Sequence, residues 1–307
     1  MPPPLSGFHH VTGIAGPAQP NVDFYTGVLG LRLVKRTVNF DDPGTYHLYY
    51  GDALGRPGTI LTFFPWERAV PGRVGAGMPS AVALSAPAGS VDAWMGRFAD
   101  RALDFDAPRE RFGDPVLPFM DPDGLTLELV AHDGAEADGP LGEHGIGGVH
   151  SVTLALRNPP TSAWVLTEVF GWEEVGEEDG RLRFGPPGAT EGFIDLVPTD
   201  VTGRAAAGTV HHVAFRARDD AEQEAWRERL REAGLIATEV KDRQYFRSIY
   251  FREPGGVLFE IATDGPGFTA DEDTDALGTT LQLPPWLERR RPAIEARLPA
   301  LTFPSSL

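Results

Sequence analysis

Apolar and polar positions along the 307-residue chain fall into one pattern that occurs four times. An apolar strand meets a Pro, Asp or Ser boundary, then a helix with one apolar face, then two or three short strands. The opening strands are expected at Phe8–Ile14, Ala81–Ala86, Val149–Leu156 and Val210–Ala217. The helices behind them are expected at about Asn21–Leu29, Val91–Ala102, Thr161–Phe170 and Ala221–Ala233. In the last, Trp226, Leu230 and Ala233 share a face, and Glu222, Glu224, Arg227 and Glu228 fill the rest. Three of these helices run into Gly30, Gly171 and Gly234, which suit a left-handed C-terminal cap, whereas the second has no such glycine.

Two repeats close with similar hairpins, FMDPDGLTLELV (Phe119–Val130) and YFREPGGVLFEIA (Tyr250–Ala262). Each second strand carries one carboxylate in apolar company, Glu128 or Glu260, and the third module has Asp195 near the corresponding place. One such unit cannot cover both faces of its sheet, so the modules are expected to pair into curved sheets around a shared cavity. The fold class expected is therefore α+β: four βαβββ modules forming two curved mixed-sheet barrels. Residues 1–139 would hold modules 1 and 2, residues 140–265 modules 3 and 4, and 266–307 a C-terminal tail. The Gly- and acid-rich stretch His132–Gly148 reads as a linker. In the tail, WLERRRPAIEARL predicts a short helix that Pro292 weakens, packed over a module or contributing to a contact in a homo-oligomer.

With 41% hydrophobic residues the chain can bury a core. Lys plus Arg is 27 and Asp plus Glu 44, a net charge of −17, which repels phosphate backbones and anionic lipid. Neither nucleic acid nor membrane is expected as a partner. The absence of cysteine excludes disulfides and thiolate metal sites, so any metal must take His, carboxylate, Tyr or backbone oxygen, a donor set for Fe(II), Mn(II) or Zn(II). MPPPLSGFHHV lacks the basic and apolar regions of a secretory signal, and no apolar run reaches membrane-spanning length. A cytoplasmic location is expected.

Two opening strands carry a His pair, His9–His10 and His211–His212, and a third carries His150. Strand alternation turns only one His of each pair to the cavity, and the sequence leaves open which. Glu260 sits among Val257, Leu258, Phe259, Ile261 and Ala262, where a bare carboxylate is costly to bury unless a metal or cation offsets it. The hairpin centred near Gly255 places Tyr250 roughly opposite Glu260. Two His and one carboxylate holding one face of an ion is the arrangement of non-haem Fe(II) oxygenases. The plainer reading makes the histidines structural and Glu128 and Glu260 ion-paired strand ends.

FHHVTGIAG, FYTGVLGLRLVKRTVNFDDPGTYHLYYGDALGRPGTILTFFPW, TVHHVAF and DRQYFRSIYFREPGGVLFEIATD resemble the vicinal oxygen chelate superfamily, and within it the hydroquinone-type ring-cleaving dioxygenases. The resemblance covers nearly the whole chain, LPPWLERRR in the tail included. It implies an Fe(II) cofactor, with Mn(II) as the variant, held by His10, His212 and Glu260; His150 in place of His10 is the alternative. It further implies Thr12, His211, Arg243 and Tyr250 as surrounding catalytic positions. His211 should point away from His212 unless a twist or bulge turns it inward. Small aromatic substrates and O2 are the implied partners, with extradiol-type cleavage of a hydroquinone or catechol as the reaction. Two other functions fit the same scaffold. A glyoxalase-like isomerase or lyase would need a fourth ligand from Glu128 or Asp195, and an aromatic-binding resistance protein would hold no shared metal.

Overall fold

A computed structural model describes residues 2–137 and 141–303; the expected boundary at 139/140 and residues 304–307 of the tail lie outside these. Each module contributes four strands. The first has β1 (Phe8–Ala15), β2 (Arg32–Val38), β3 (Tyr46–Gly51) and β4 (Ile60–Pro65). The second has β5 (Met78–Pro87), β6 (Arg109–Arg111), β7 (Asp114–Met120) and β8 (Thr126–His132). The third has β9 (Val149–Leu156), β10 (Glu173–Glu178), β11 (Arg181–Gly185) and β12 (Phe193–Pro198), and the fourth β13 (Thr209–Ala217), β14 (Lys241–Asp242), β15 (Arg247–Arg252) and β16 (Leu258–Thr263).

These strands make two eight-stranded mixed sheets, ordered β14-β15-β16-β13-β1-β4-β3-β2 and β10-β11-β12-β9-β5-β8-β7-β6. The expected α+β architecture of two curved mixed sheets with a C-terminal tail is the one observed. The first sheet joins modules 1 and 4 and the second joins modules 2 and 3. A division of the sequence near residue 139 therefore gives each half one module in each sheet. Opening strands meet antiparallel at the centre, β1 on β13 and β5 on β9, and each pairs parallel with the last strand of its own module.

The helices are α1 (Ala18–Val22, continuing in wider turns over Asp23–Val28), α2 (Val91–Asp100), α3 (Pro159–Trp164, then Val165–Val169) and α4 (Asp220–Glu232). The first and third begin earlier than expected because Pro20 and Pro159 lie in their first turns, where a missing N–H costs nothing. Their last turns are wide: Leu29 N bonds Phe24 O at 3.0 Å and Phe170 N bonds Val165 O at 2.9 Å. Gly30, Gly171 and Gly234 take φ of +68°, +73° and +76°, as a left-handed cap requires, and after α2 Ala102 takes that region at +51°.

One apolar cluster runs through both sheets: Phe24 and Tyr25 of α1 meet Phe63 and Phe119, and Phe170 meets Phe215, Phe251 and Phe259. The tail packs on module 1. Leu283, Leu287 and Ile294 cover Val38, and the fully buried Lys35 donates to Asp271 at 2.6 Å and to Glu272 at 2.5 Å. Its short helix, α5 (Arg291–Glu295), carries Pro292 in the first turn, so the proline starts the helix and does not break it.

Candidate metal centre

The central seam of the first sheet is interrupted twice, and both interruptions fall on a histidine. Register passes from Phe8↔Phe215 to His10↔Ala214, leaving His9 as an extra residue, and from Thr12↔His212 to Gly13↔Val210, leaving His211 extra. A bulge breaks alternation, so neighbouring side chains meet on one side of the strand. His9 Nδ1 lies 2.9 Å from His10 Nδ1, and His211 Nδ1 lies 2.7 Å from His212 Nδ1. Burial above all, with the His10 ring beside it, pushes His9 down to about 3, so it is neutral and able to accept. With the proton on Nδ1 of His10 and His212, each Nε2 keeps a lone pair for the cavity.

Those two Nε2 atoms meet Glu260 Oε2. The separations are 3.2 Å between the nitrogens, 2.9 Å from His212 to Glu260 and 3.5 Å from His10 to Glu260. Atoms about 2.1 Å from one ion and at right angles stand about 3.0 Å apart, so the spacing fits three ligands on one face of an ion. All three residues are buried, and among the described residues they form the one group of His and carboxylate side chains close enough to share a metal. Glu260 Oε1 accepts from Ser248 Oγ at 2.5 Å, whereas Oε2 has no well-directed hydrogen bond despite its two imidazole neighbours. A fully buried carboxylate oxygen left in this way, facing two lone pairs, fits a cation. Burial alone pushes Glu260 up; the positive charge that His10 and His212 carry when protonated outweighs it and holds the carboxyl well below its usual range, an attraction that a cation at this point would replace once the rings give up those protons.

Tyr250 stands opposite Glu260 in the β15–β16 pair, as the hairpin predicts. Burial, then the Glu260 charge, raises its phenol above the ordinary value against the opposing effect of Arg243, so it stays protonated. Arg243 Nε donates to Tyr250 Oη at 3.2 Å, and Arg243 Nη1 reaches Asp41 Oδ2 at 3.1 Å. Thr12 Oγ1 lies 2.9 Å from His212 Nε2 and 3.1 Å from Thr62 Oγ1. A cavity of about 270 Å³ opens on this face, walled by Phe64, Trp66, Phe40 and Phe246, with the exposed His211 on its rim. His47 and Tyr49 also line it, and the sequence reading missed both. Their signal was present: in Tyr46–Gly51 alternation puts His47 and Tyr49 on the face opposite Tyr46, Leu48 and Tyr50.

The second sheet repeats the frame with different chemistry. His150 is again the extra residue, between Ala83↔Ser151 and Leu84↔Val149, so it corresponds to His211. Ser151 and Ala81 stand where His212 and His10 stand, and Asp195, opposite Thr153, takes the place of Glu260, opposite Ala214. Arginine forks occupy the carboxylates: Arg183 and Arg181 hold Asp195, and Arg111 and Arg109 hold Glu128. Neither carboxylate belongs to the His10–His212–Glu260 group, and His150 instead pairs with Ser151 and stacks edge-on to His132.

The sequence matches the family model for the Glyoxalase/Bleomycin resistance protein/Dioxygenase superfamily over residues 7–129 and 148–261, and the chain belongs to this superfamily. Its similarity to the Bacillus subtilis (strain 168) protein named "Putative ring-cleaving dioxygenase MhqO" is 45% identity over 301 residues, 95% of each chain. Chlorohydroquinone/hydroquinone 1,2-dioxygenase of Sphingobium indicum is 36% identical over 308 residues, 94% of each. The crystal structure of a "putative dioxygenase" from Bacillus subtilis subsp. subtilis str. 168 superposes with a TM-score of 0.94 at 43% identity, over 98% of both chains. Maize glyoxalase I shares the fold at a TM-score of 0.63 and 15% identity, covering 84% of this chain and 92% of its own. Among the described residues no helix is long and apolar enough to cross a membrane.

Proposed function

We propose that the protein is an Fe(II)-dependent ring-cleaving dioxygenase of extradiol type acting on a hydroquinone or catechol, with His10, His212 and Glu260 as the metal ligands. The observation that carries this reading is the three-atom face at 2.9–3.5 Å in a cavity of aromatic-ring size. The relatives named for ring cleavage support the substrate class. Fe(II) held there, or Mn(II) as the variant, would bring a substrate oxygen and O2 together and pass charge between them.

The chain's own residues do the rest. Phe64, Phe246 and Trp66 enclose the ring and exclude water. Tyr250, protonated and fixed by Arg243, gives a proton to oxygen as the ring opens, and Arg243 supplies positive charge beside the same atom. Thr12 points its hydroxyl at the face from beside His212. His211, at the rim, exchanges protons with solvent. A glyoxalase-like reaction draws no support from the geometry, because Arg109, Arg111, Arg181 and Arg183 hold both carboxylates that would supply a fourth ligand. Protein loaded anaerobically with Fe(II) is expected to take up one O2 per hydroquinone as the aromatic absorbance disappears. Absence of O2 uptake across a panel of hydroquinones and catechols overturns the proposal.

A further inference from the structure

We infer that His47 is a positioning residue: through Thr62 it fixes the direction in which the Thr12 hydroxyl donates its proton, toward the His10–His212–Glu260 face. The inference rests on the proposed metal centre and adds a residue, with its role, that lies outside the His-His-Glu group and its immediate neighbours.

A continuous chain of hydrogen bonds carries it. Tyr49 Oη lies 2.8 Å from His47 Nδ1, His47 Nε2 lies 2.5 Å from Thr62 Oγ1, Thr62 Oγ1 lies 3.1 Å from Thr12 Oγ1, and Thr12 Oγ1 lies 2.9 Å from His212 Nε2. Tyr49, Thr62 and Thr12 are buried, so each polar hydrogen needs a partner inside the protein. Burial pushes Tyr49 well above its ordinary value, so its phenol keeps a proton to donate. Burial, with His10 and His212 behind it, pushes His47 well below the histidine range, so its ring is neutral and carries one proton.

The polarity then follows by counting donors. Tyr49 donates to Nδ1 of His47, which leaves the ring proton on Nε2. That proton goes to Thr62, the Thr62 proton goes to Thr12, and the Thr12 proton has only the cavity side left. There it faces His212 Nε2 while that atom keeps its lone pair, and were the lone pair given to a metal the proton would be free for an oxygen of substrate on the same side of the cavity. The opposite tautomer of His47 would reverse every bond and turn Thr12 into an acceptor. It would also leave the Tyr49 hydrogen without a partner in the chain. The register that builds this relay is local: Thr12 pairs directly with Thr62 in β1–β4, and Thr62 with Tyr49 in β3–β4.

Two measurements test it. In wild-type protein labelled with ¹⁵N-histidine, one buried neutral ring is expected to show the Nε2–H pattern and to vanish in His47→Gln. An Nδ1–H pattern for that ring overturns the assigned polarity without reference to any reaction. Thr62→Val, which keeps the shape of the side chain, is then compared with Thr62→Ser in Fe(II)-loaded protein. The valine variant should bind Fe(II) and, without O2, hydroquinone as the wild type does. Its kcat should fall about 10- to 100-fold at little change in KM, and serine should restore it. Equal kcat in Thr62→Val and wild type, or an equal loss in both variants, overturns the inference. If the wild type cleaves no ring, the proposed reaction fails, while the tautomer measurement still decides the relay.

Discussion

Replacing Glu260 by Gln isolates the charge that the metal centre needs. Gln keeps the shape and the acceptor for Ser248, which now reaches Oε1 at 2.5 Å, but cannot offer an anionic Oε2 to a cation. An ion that binds only the folded protein stabilises it by RT ln(1 + [M]/Kd), about 2.7 kcal/mol at one hundred times Kd. For a chain of this length that is a rise in Tm of about 5 °C, at about 2 °C per kcal/mol. Losing an outer partner of a ligand already costs about 10–100-fold in affinity, so losing the ligand charge should cost at least about 100-fold. At the same metal concentration the variant then sits near its own Kd and gains only about 0.4 kcal/mol, under 1 °C. The assay is differential scanning calorimetry of each protein without metal, with anaerobic Fe(II), and with Mn(II) as an air-stable ion. Comparing the metal-induced rise within each protein cancels any effect of the substitution on the metal-free fold. Equal rises in wild type and Glu260→Gln would refute the argument, as would a wild type whose Tm ignores both ions. In that case the cluster of His10, His212 and Glu260 is a buried ion pair and nothing more.

Two further outcomes follow from groups distant from the metal face. Lys35→Met should destabilise the protein by about 3–5 kcal/mol in urea unfolding, because Asp271 and Glu272 lose a cation that is itself fully buried; a loss below about 1 kcal/mol would contradict this. Asp121 is pushed up to about 6 from an ordinary 3.8, by burial first and by Asp123 among lesser causes. Its folded pKa lies above the unfolded one, so the native state holds the extra proton between these values, and stability falls as pH rises through that window. Asp121→Asn keeps an acceptor for the Asp123 and Leu125 amides and removes the charge. Its stability relative to wild type should improve by on the order of 2 kcal/mol between pH 4 and pH 8, and a pH-independent difference would show that Asp121 is not the group responsible.

The sequence made the architecture legible because its information is local. Repeated apolar strands, helix caps and Pro-Gly turns mark four modules, and the turn around Gly255 is enough to set Tyr250 against Glu260. What it hid depends on register between distant segments. Strand alternation alone turns His9 and His211 away from their neighbours, and only the bulges in the β1–β13 seam bring each pair together. Arg109, Arg111, Arg181 and Arg183 look like scattered charges along the chain, yet each pair closes on the carboxylate of its own module, Glu128 or Asp195, because the antiparallel strands β6 to β8 and β11 to β12 bring them to one face. His47 stands alone in an aromatic strand with no motif around it, and its importance comes from Thr62, on a neighbouring strand.

The pairing of module 1 with module 4 fixes an order of assembly. The second sheet draws only on residues 78–198, so it can close as soon as that stretch has left the ribosome. The first sheet cannot: β1, made at the outset, keeps one edge bare until Thr209–Ala217 arrives nearly two hundred residues later. A nascent chain must therefore shield a half-built apolar sheet throughout synthesis of the central modules, the interval in which edge-to-edge misassociation is most dangerous. Truncation anywhere before β13 would strand that edge permanently, so such fragments should aggregate, whereas residues 78–198 enclose a complete sheet of their own.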